Sequence, residues 1–505
     1  MLASIQATQA AVIAAAFLLV TMVGLFASHW RRGDLSGLDE WALGGRKFGG
    51  VLTWFLQGGS VYTTYSFIAV PGLVFGAGAI GFFALPYLVI AYPVAFLFIP
   101  RLWQVARRHG YVTTADVVRG RYGSRPLTLA VTLTGIVATM PYIALQVYGI
   151  EVSIAQVGLP VEASLWIAFV LLAVVTYVSG LRAATLIAIV KDVFIWITVI
   201  VAVVYIPMRL GGYAKAFTHV PASKLTLSHA QYADYVTLAI GSGLALFLYP
   251  HTVTGALSAS SRYVVQRNSV FLPIYTIMLG LLALLGYLAI AAGIPANGPY
   301  GANAAVPALL DHFFPPALAG FGLASIAIGA LVPAAMMAIA SANLFARNVY
   351  VELINPEASP QRQTQVSKVA SLVVKFGAVG FVLLVPSAFV INFQLAAGVW
   401  ILQTLPAVVL GLFWRGLNSR AALLGLAAGL AAGTALLLSA GFKSSSYDFS
   451  IGGHHALLYI GVPTLALNLL IVLAGSLLSR GTRRVPSLAM PAERPALPGK
   501  TQSIG

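Results

Sequence analysis

Long apolar runs, separated by short polar and basic stretches, dominate this chain. A helix that crosses a bilayer needs roughly 20 mostly apolar residues. Thirteen ranges meet that description: 8–29, 49–76, 79–103, 126–157, 161–181, 184–208, 233–260, 268–293, 318–348, 367–387, 391–414, 420–440 and 456–478. The pattern predicts an all-α membrane protein with about thirteen transmembrane helices.

Two spans carry helix-weakening residues near their middles. One reads Leu56-Gln57-Gly58-Gly59-Ser60-Val61-Tyr62-Thr63-Thr64-Tyr65-Ser66. The other holds Gly241-Ser242-Gly243 and then Tyr249-Pro250-His251-Thr252-Val253-Thr254-Gly255. Pro250 removes a backbone donor and crowds the preceding turn. The hydroxyls beside each break can satisfy freed backbone groups or face a wet cavity. Five spans separate the two breaks, as a 5+5 inverted repeat requires. In that architecture the broken helices meet near the midplane and aim helix N-termini at an anionic group. Gly and Pro are also common in membrane helices, so ordinary kinks stay open as a reading.

The repeat divides the chain as follows. Residues 1–48 form an extra N-terminal helix and linker; 49–208 form the first repeat; 209–232 form an outer loop. Residues 233–414 form the second repeat, 415–480 two further helices, and 481–505 a disordered tail rich in Arg, Pro and Ser.

Charge sets the expected orientation. With the first end outside, the inner loops hold 23 Lys and Arg and the outer loops only Arg209, Lys215, Lys224 and Lys443. Lys191 and Lys375 fall within spans. This bias predicts an N-terminus outside and a C-terminus in the cytoplasm. It also accounts for the net charge of +16, which faces anionic lipid and not nucleic acid. MLASIQATQA carries no basic residue, so the first span reads as an uncleaved helix and not a signal peptide.

Composition agrees. Of 505 residues, 59% are apolar and 8% charged, and the mean hydropathy is +0.90. An ordinary soluble domain carries about 25% charge. Cys is absent, which removes disulfides, thiol nucleophiles and Cys-based metal sites. No Gly-x-x-x-x-Gly-Lys phosphate loop occurs, and the adjacent pair His454-His455 lacks the i, i+4 spacing of a helical zinc site. No enzyme activity, cofactor or metal is expected.

Certain motifs carry a resemblance. Trp41-Ala42-Leu43-Gly44-Gly45-Arg46 precedes the first broken span and Pro71-Gly72 ends it. Thr113-Thr114-Ala115-Asp116 leads to Arg121-Tyr122-Gly123; Asp192, Pro250-His251 and Arg347-Asn348-Val349-Tyr350 follow in order. Over roughly residues 40–435 the chain resembles the sodium:solute symporter family. Met140 to Gln146, Ala330 to Ala335 and Trp400 to Pro406 are similar to its bacterial monocarboxylate permeases. The resemblance implies the inverted-repeat fold of neurotransmitter-type symporters and a bacterial inner-membrane location.

The resemblance also implies where sodium would bind. The family's site uses two carbonyls in the first broken span, which match Gly59 and Tyr62, and a third, which matches Gly329. Its two adjacent hydroxyls match Val332 and Pro333, which offer no side-chain oxygen. An Asp that some members place in the first break matches Val61. Lys191 is the expected replacement. A Lys within a span costs about 3 kcal/mol on insertion scales. Its ammonium can stand in for sodium's charge against the Gly59, Tyr62 and Gly329 carbonyls. A desolvated amine also gives up its proton more readily than one in water. Two other readings remain: a structural pair with Asp192, and snorkelling to the inner surface. Adjacent helix residues point about 100° apart, so the expected partner of Lys191 comes from another helix.

Asp192 is either a proton relay or a fixed countercharge. His251 can titrate near neutrality or serve as scaffold. Glu151 is expected in a wetted outer position, and Lys375 is expected to snorkel. The expected solute pocket draws on Gln57, Ser60, Thr63 and Thr64, on Tyr142 and Gln146 one turn apart, and on Tyr249, His251, Trp400 and Gln403. Ordinary interhelical hydrogen bonding favours the same residue types.

These readings converge on proton-coupled uptake of short monocarboxylates such as lactate, pyruvate, acetate or propionate. Rival readings are a sodium symporter for another solute such as an amino acid, a solute-sensing module and a passive channel. Sensor relatives are expected to carry a cytoplasmic kinase region after the spans, and residues 481–505 do not read as one. Oligomeric state stays open.

Overall fold

The computed structural model describes residues 2–30, 33–384, 390–451 and 453–479. The expected disordered tail, 481–505, lies outside the described residues, as do Arg31, Arg32 and the end of the expected span 367–387.

Helices account for nearly all of the described chain. The first half holds α1 (Leu2–Phe26), α2 (Leu38–Leu43), α3 (Gly50–Gly58), α4 (Val70–Ala77), α5 (Ala84–His109), α6 (Thr114–Tyr122), α7 (Arg125–Gln156), α8 (Val161–Ser179) and α9 (Leu181–Arg209). The second half holds α10 (His229–Ala245), α11 (Pro250–Leu257), α12 (Arg262–Phe271), α13 (Ile274–Ala291), α14 (Ala305–Phe313), α15 (Pro316–Phe345), α16 (Pro360–Leu384) and α17 (Ile391–Leu402). Beyond these come α18 (Ser419–Ser439), a hairpin of β1 (Ser446–Ile451) and β2 (His454–Tyr459), and α19 (Gly461–Leu478).

Among the described residues, nine helices are long and apolar enough to cross a membrane, or eleven if each of two bent pairs is one span. Two of the thirteen expected ranges are not among these. Range 49–76 holds a helix interrupted after Gly58, and range 367–387 ends in residues outside the description. The other range that needs correction is 456–478. Its first residues form β2, paired antiparallel with β1 from Ser446↔Tyr459 to Ile451↔His454, and the helix starts only at Gly461. Apolar Ala456, Leu457 and Leu458 read as helix in sequence but pack as a strand beside α10.

Side chains close both expected breaks. After α3, Ser60 Oγ donates to the Gln57 carbonyl at 2.6 Å and Ser66 Oγ to the Val61 carbonyl. At the second break Tyr249 is extended and Pro250 sits at the first position of α11, where its missing N–H costs little. Thr252 Oγ1 reaches the Leu246 and Tyr249 carbonyls at 2.8 and 2.7 Å, across a bend of 50°. A third bend, of 44° before Pro406, was not expected from the sequence.

The most enclosed helix is α15, in which every residue from Gly322 to Leu344 is buried. It is rich in Ala, Gly and Ser, which let helix backbones approach closely. It packs against α7, α1 and α9. Polar contacts tie α6 to the segments that follow α15 and α17. Thr113 and Asp116 form a capping box on α6, and Asn348 Nδ2 donates to Asp116 Oδ1 at 2.8 Å. Arg121 donates to the Gly411, Trp414 and Arg415 carbonyls. At the α8–α9 joint Gly180 takes φ 58° and lies against the Trp41 backbone, with no space for a side chain.

Candidate functional site

The α3 break brings Tyr62 against α9. Lys191 is fully buried, and its Nζ donates to the Tyr62 carbonyl at 2.7 Å and to Asp192 Oδ1 at 2.9 Å. The second contact corrects the expectation that Lys191 finds its partners only on other helices. The Cα–Cβ bonds of neighbours diverge, but a four-carbon stem is long enough to fold back to the next residue. Asp192 is fully buried too, and its Oδ2 accepts from Tyr275 Oη of α13 at 2.7 Å.

The three expected carbonyls divide. Tyr62 accepts the ammonium. Gly59 borders the Lys191 stem, since a Cβ there would stand 3.4 Å from Cε, but its carbonyl accepts no bond from Nζ. Gly329 is likewise not a partner of Nζ, and its α-carbon faces Ile195. Val332 and Pro333 are buried within α15 without a side-chain oxygen. The nearest serines in the chain do not substitute. Ser325 is engaged with Thr198 and the Phe321 carbonyl at 2.8 Å each, and Ser341 lines a groove against α16.

Tyr275 was missed in the sequence. It stands in an apolar run, where a buried phenol demands a partner but nothing names it. Its ring lies 4.3 Å from that of Tyr62 and 4.7 Å from that of Trp54. Gly58 provides the room: a Cβ there would overlap the Tyr275 ring. Tyr275→Phe removes one donor from a buried carboxylate and is expected to cost about 1–3 kcal/mol, read as a lower melting temperature.

The expected solute residues fall into two groups. Gln57 and Ser60 line a narrow gap of about 10 Å³ between the two breaks, together with Val61, Tyr92, Phe247 and Thr252. Beside it, Tyr142, Tyr249 and His251 form a cluster with ring centroids 5.2 to 5.6 Å apart. Both ring nitrogens of His251 are buried without a hydrogen-bond partner. Thr64 N–H donates to Gln146 Oε1 at 3.2 Å, and Gln146 Nε2 donates to the Tyr142 carbonyl. Thr63 Oγ1 accepts from the Tyr65 N–H at 3.0 Å.

Trp400 and Gln403 are corrections. Trp400 Nε1 donates to Thr434 of α18 at 3.1 Å. Gln403 Nε2 donates to Thr464 of α19 at 3.0 Å, and its Oε1 accepts from Asn468. The last turn of α17, which holds Trp400, and the turn after it, which holds Gln403, point both toward the C-terminal helices. Gln403→Leu is therefore expected to lower thermal stability by about 1–3 kcal/mol and leave the KM for uptake unchanged. Missed instead were Tyr92 Oη, which borders the gap, and Gln394 Oε1, whose residue's carbonyl accepts from Tyr249 Oη at 3.1 Å; both atoms are buried without a hydrogen-bond partner.

Lys375 does not snorkel. It is fully buried, and Nζ donates to Thr176 Oγ1 and to Ser371 Oγ. Glu151 is half-buried and accepts from Tyr300 Oη at 3.1 Å.

A lysine bound to the carbonyl at a helix break, with an acid beside it and a small gap between two broken helices, suits ion-coupled transport. The sequence profile of the sodium:solute symporter family matches residues 41–429. The chain belongs to the sodium:solute symporter family. This symporter is 47% identical over 479 residues to a monocarboxylate transport permease protein of Rhizobium johnstonii, covering 93% of this chain and 97% of that one. It is 35% identical over 437 residues to YodF, an uncharacterized symporter of Bacillus subtilis, covering 84% and 87%. Similarity extends to the sodium/pantothenate symporter of Escherichia coli, at 24% identity over 87% of this chain and 90% of that one. Its fold matches that of a Na+-coupled sialic acid symporter in a substrate-bound outward-open state. The TM-score is 0.77 at 15% identity, over 93% of this chain and 98% of that one. The symporter is thus a membrane transporter of small solutes, and its relatives are transporters, not enzymes.

Proposed function

We propose that the protein is a proton-coupled symporter that brings short monocarboxylates of the lactate, pyruvate, acetate or propionate type into the cell. The observation that carries this reading is the Lys191 ammonium on the Tyr62 carbonyl, with Val332 and Pro333 where related carriers are expected to offer hydroxyls. Protonated, Lys191 holds the α3 break against α9; deprotonated, it releases that gate. Asp192 keeps the charge compensated, and Tyr275 orients Asp192. The relative named as a monocarboxylate permease supports the solute class.

In this reading residues 49–208 and 233–414 are inverted repeats in a bacterial inner membrane, with the N-terminus outside. The solute binds between the breaks. Gln57, Ser60, Thr63 and Thr64 supply polar contacts, and Tyr142, Gln146, Tyr249 and His251 supply the wall and orientation. One proton with one monoanion is electroneutral, so the pH gradient drives uptake at about 1.4 kcal/mol per unit. A net charge carried inward would add about 2.3 kcal/mol per 100 mV. Counterflow of labelled monocarboxylates in proteoliposomes, with and without sodium, tests both parts. Exchange of a monocarboxylate in sodium-free buffer supports the reading; exchange only with sodium, or only of another solute class, contradicts it. The second reading, sodium coupling, is favoured by the sodium symporters among the relatives and requires ligands other than Val332 and Pro333.

A further inference from the structure

A cleft separate from the proposed solute gap opens between α3 and α12. Gly50, Val51, Trp54 and Phe55 line it from α3, and Arg267, Asn268 and Phe271 from α12. Its volume is about 460 Å³. Donors converge on it. Asn268 is 3% exposed, yet its Nδ2 has no hydrogen-bond partner, and the buried Nε1 of Trp54 has none either. Arg267 is exposed, lies over the Phe271 ring at 5.6 Å, and pairs with no carboxylate among the described residues. The start of α3 has no side-chain cap at Gly49, so its first N–H groups and positive helix end also face this region. Among the described residues, no acidic side chain lines the cleft. Its outer wall is apolar and exposed: Val51 at 69%, Ile274 at 53% and Phe271 at 46%.

Three kinds of donor above an apolar, outward-facing wall fit a molecule with an anionic head and a hydrocarbon body. We propose that this cleft binds an anionic phospholipid, with the phosphate held by Arg267, Asn268 Nδ2 and Trp54 Nε1 and an acyl chain along Val51, Phe271 and Ile274. Residues 262–271 lie on the side that the Lys and Arg excess marks as inside, where anionic headgroups concentrate. A lipid there wedges against α3, the arm that carries the Gly58–Tyr62 break. It also touches Trp54, whose ring lies 4.7 Å from that of Tyr275 at a tilt of 57°. The proposal does not depend on which ion or solute the protein carries.

Native mass spectrometry of the full chain from mixed micelles of phosphatidylethanolamine and phosphatidylglycerol tests it without any transport assay. The wild type is expected to retain phosphatidylglycerol with about fivefold preference, the gain of one surface cation near an anionic headgroup. Arg267→Gln, an exposed position that folding tolerates, and Asn268→Ser should each abolish the preference. Lys443→Gln, on the opposite side, should keep it. Equal retention of both lipids by the wild type, or an unchanged preference in both cleft variants, overturns the proposal. Inorganic phosphate that displaces phosphatidylglycerol at millimolar concentration also overturns it, because the cleft then reads only a free anion.

Discussion

Lys191→Met is expected to abolish accumulation driven by a pH gradient. The charged amine is the moving part of the proposed coupling, and methionine keeps most of its length without a titratable group. Uptake should then fall to equilibration, while counterflow exchange between two solute pools persists. The substitution also leaves Asp192 buried with only Tyr275 to compensate it. Losing one partner of a buried pair costs about 3–5 kcal/mol. Reduced stability and reduced coupling must therefore be separated. Lys191→Met combined with Asp192→Asn removes both charges and should recover most of the melting temperature, with accumulation still absent. Recovery of accumulation together with stability would mean that the pair is structural.

The second large effect is expected at Gly58. A leucine there overlaps the Tyr275 ring, which is also held by Trp54 and Tyr62. The ring must move, and the Oη bond to Asp192 breaks with it. Overpacking and the lost bond together should lower stability by about 2–5 kcal/mol. Gly58→Leu with Tyr275→Ala makes room for the leucine. That double variant should regain much of the stability but not normal pH-driven uptake, because Asp192 still lacks its phenol. A melting curve and a time course of uptake for the single and double variants check both statements. Full activity of Gly58→Leu would remove Tyr275 from the site.

The sequence revealed helices more readily than contacts. A bilayer forces backbone groups to pair within each segment, so apolar run length translates almost directly into helix. Gly58-Gly59 and Pro250 marked the two breaks for the same reason: each weakens a ladder that lipid cannot repair. The third bend before Pro406 escaped notice because no cluster of Gly and hydroxyl residues accompanied it. The β1–β2 hairpin escaped because Ala456 to Tyr459 is as apolar as the helix that follows.

Side-chain direction was harder. Gln403 and Trp400 looked like pocket residues by type, but the end of α17 and the turn after it aim them at α19 and α18. Lys375 looked free to snorkel, but Thr176 of α8 meets it within the bundle. Lys191 and Asp192 looked too close in sequence to pair, and stem length overcame helix geometry. Tyr275 could not have been chosen among 21 tyrosines, because its role depends on the space at Gly58, a feature of packing between distant spans.

Purified protein in sealed, sodium-free proteoliposomes, acid outside and neutral within, should concentrate a labelled monocarboxylate by about tenfold per pH unit at one proton per anion. The same vesicles at equal pH with an inward sodium gradient should show none. Accumulation that follows the sodium gradient and ignores the pH gradient would mean that the Lys191 proton does not replace the metal ion.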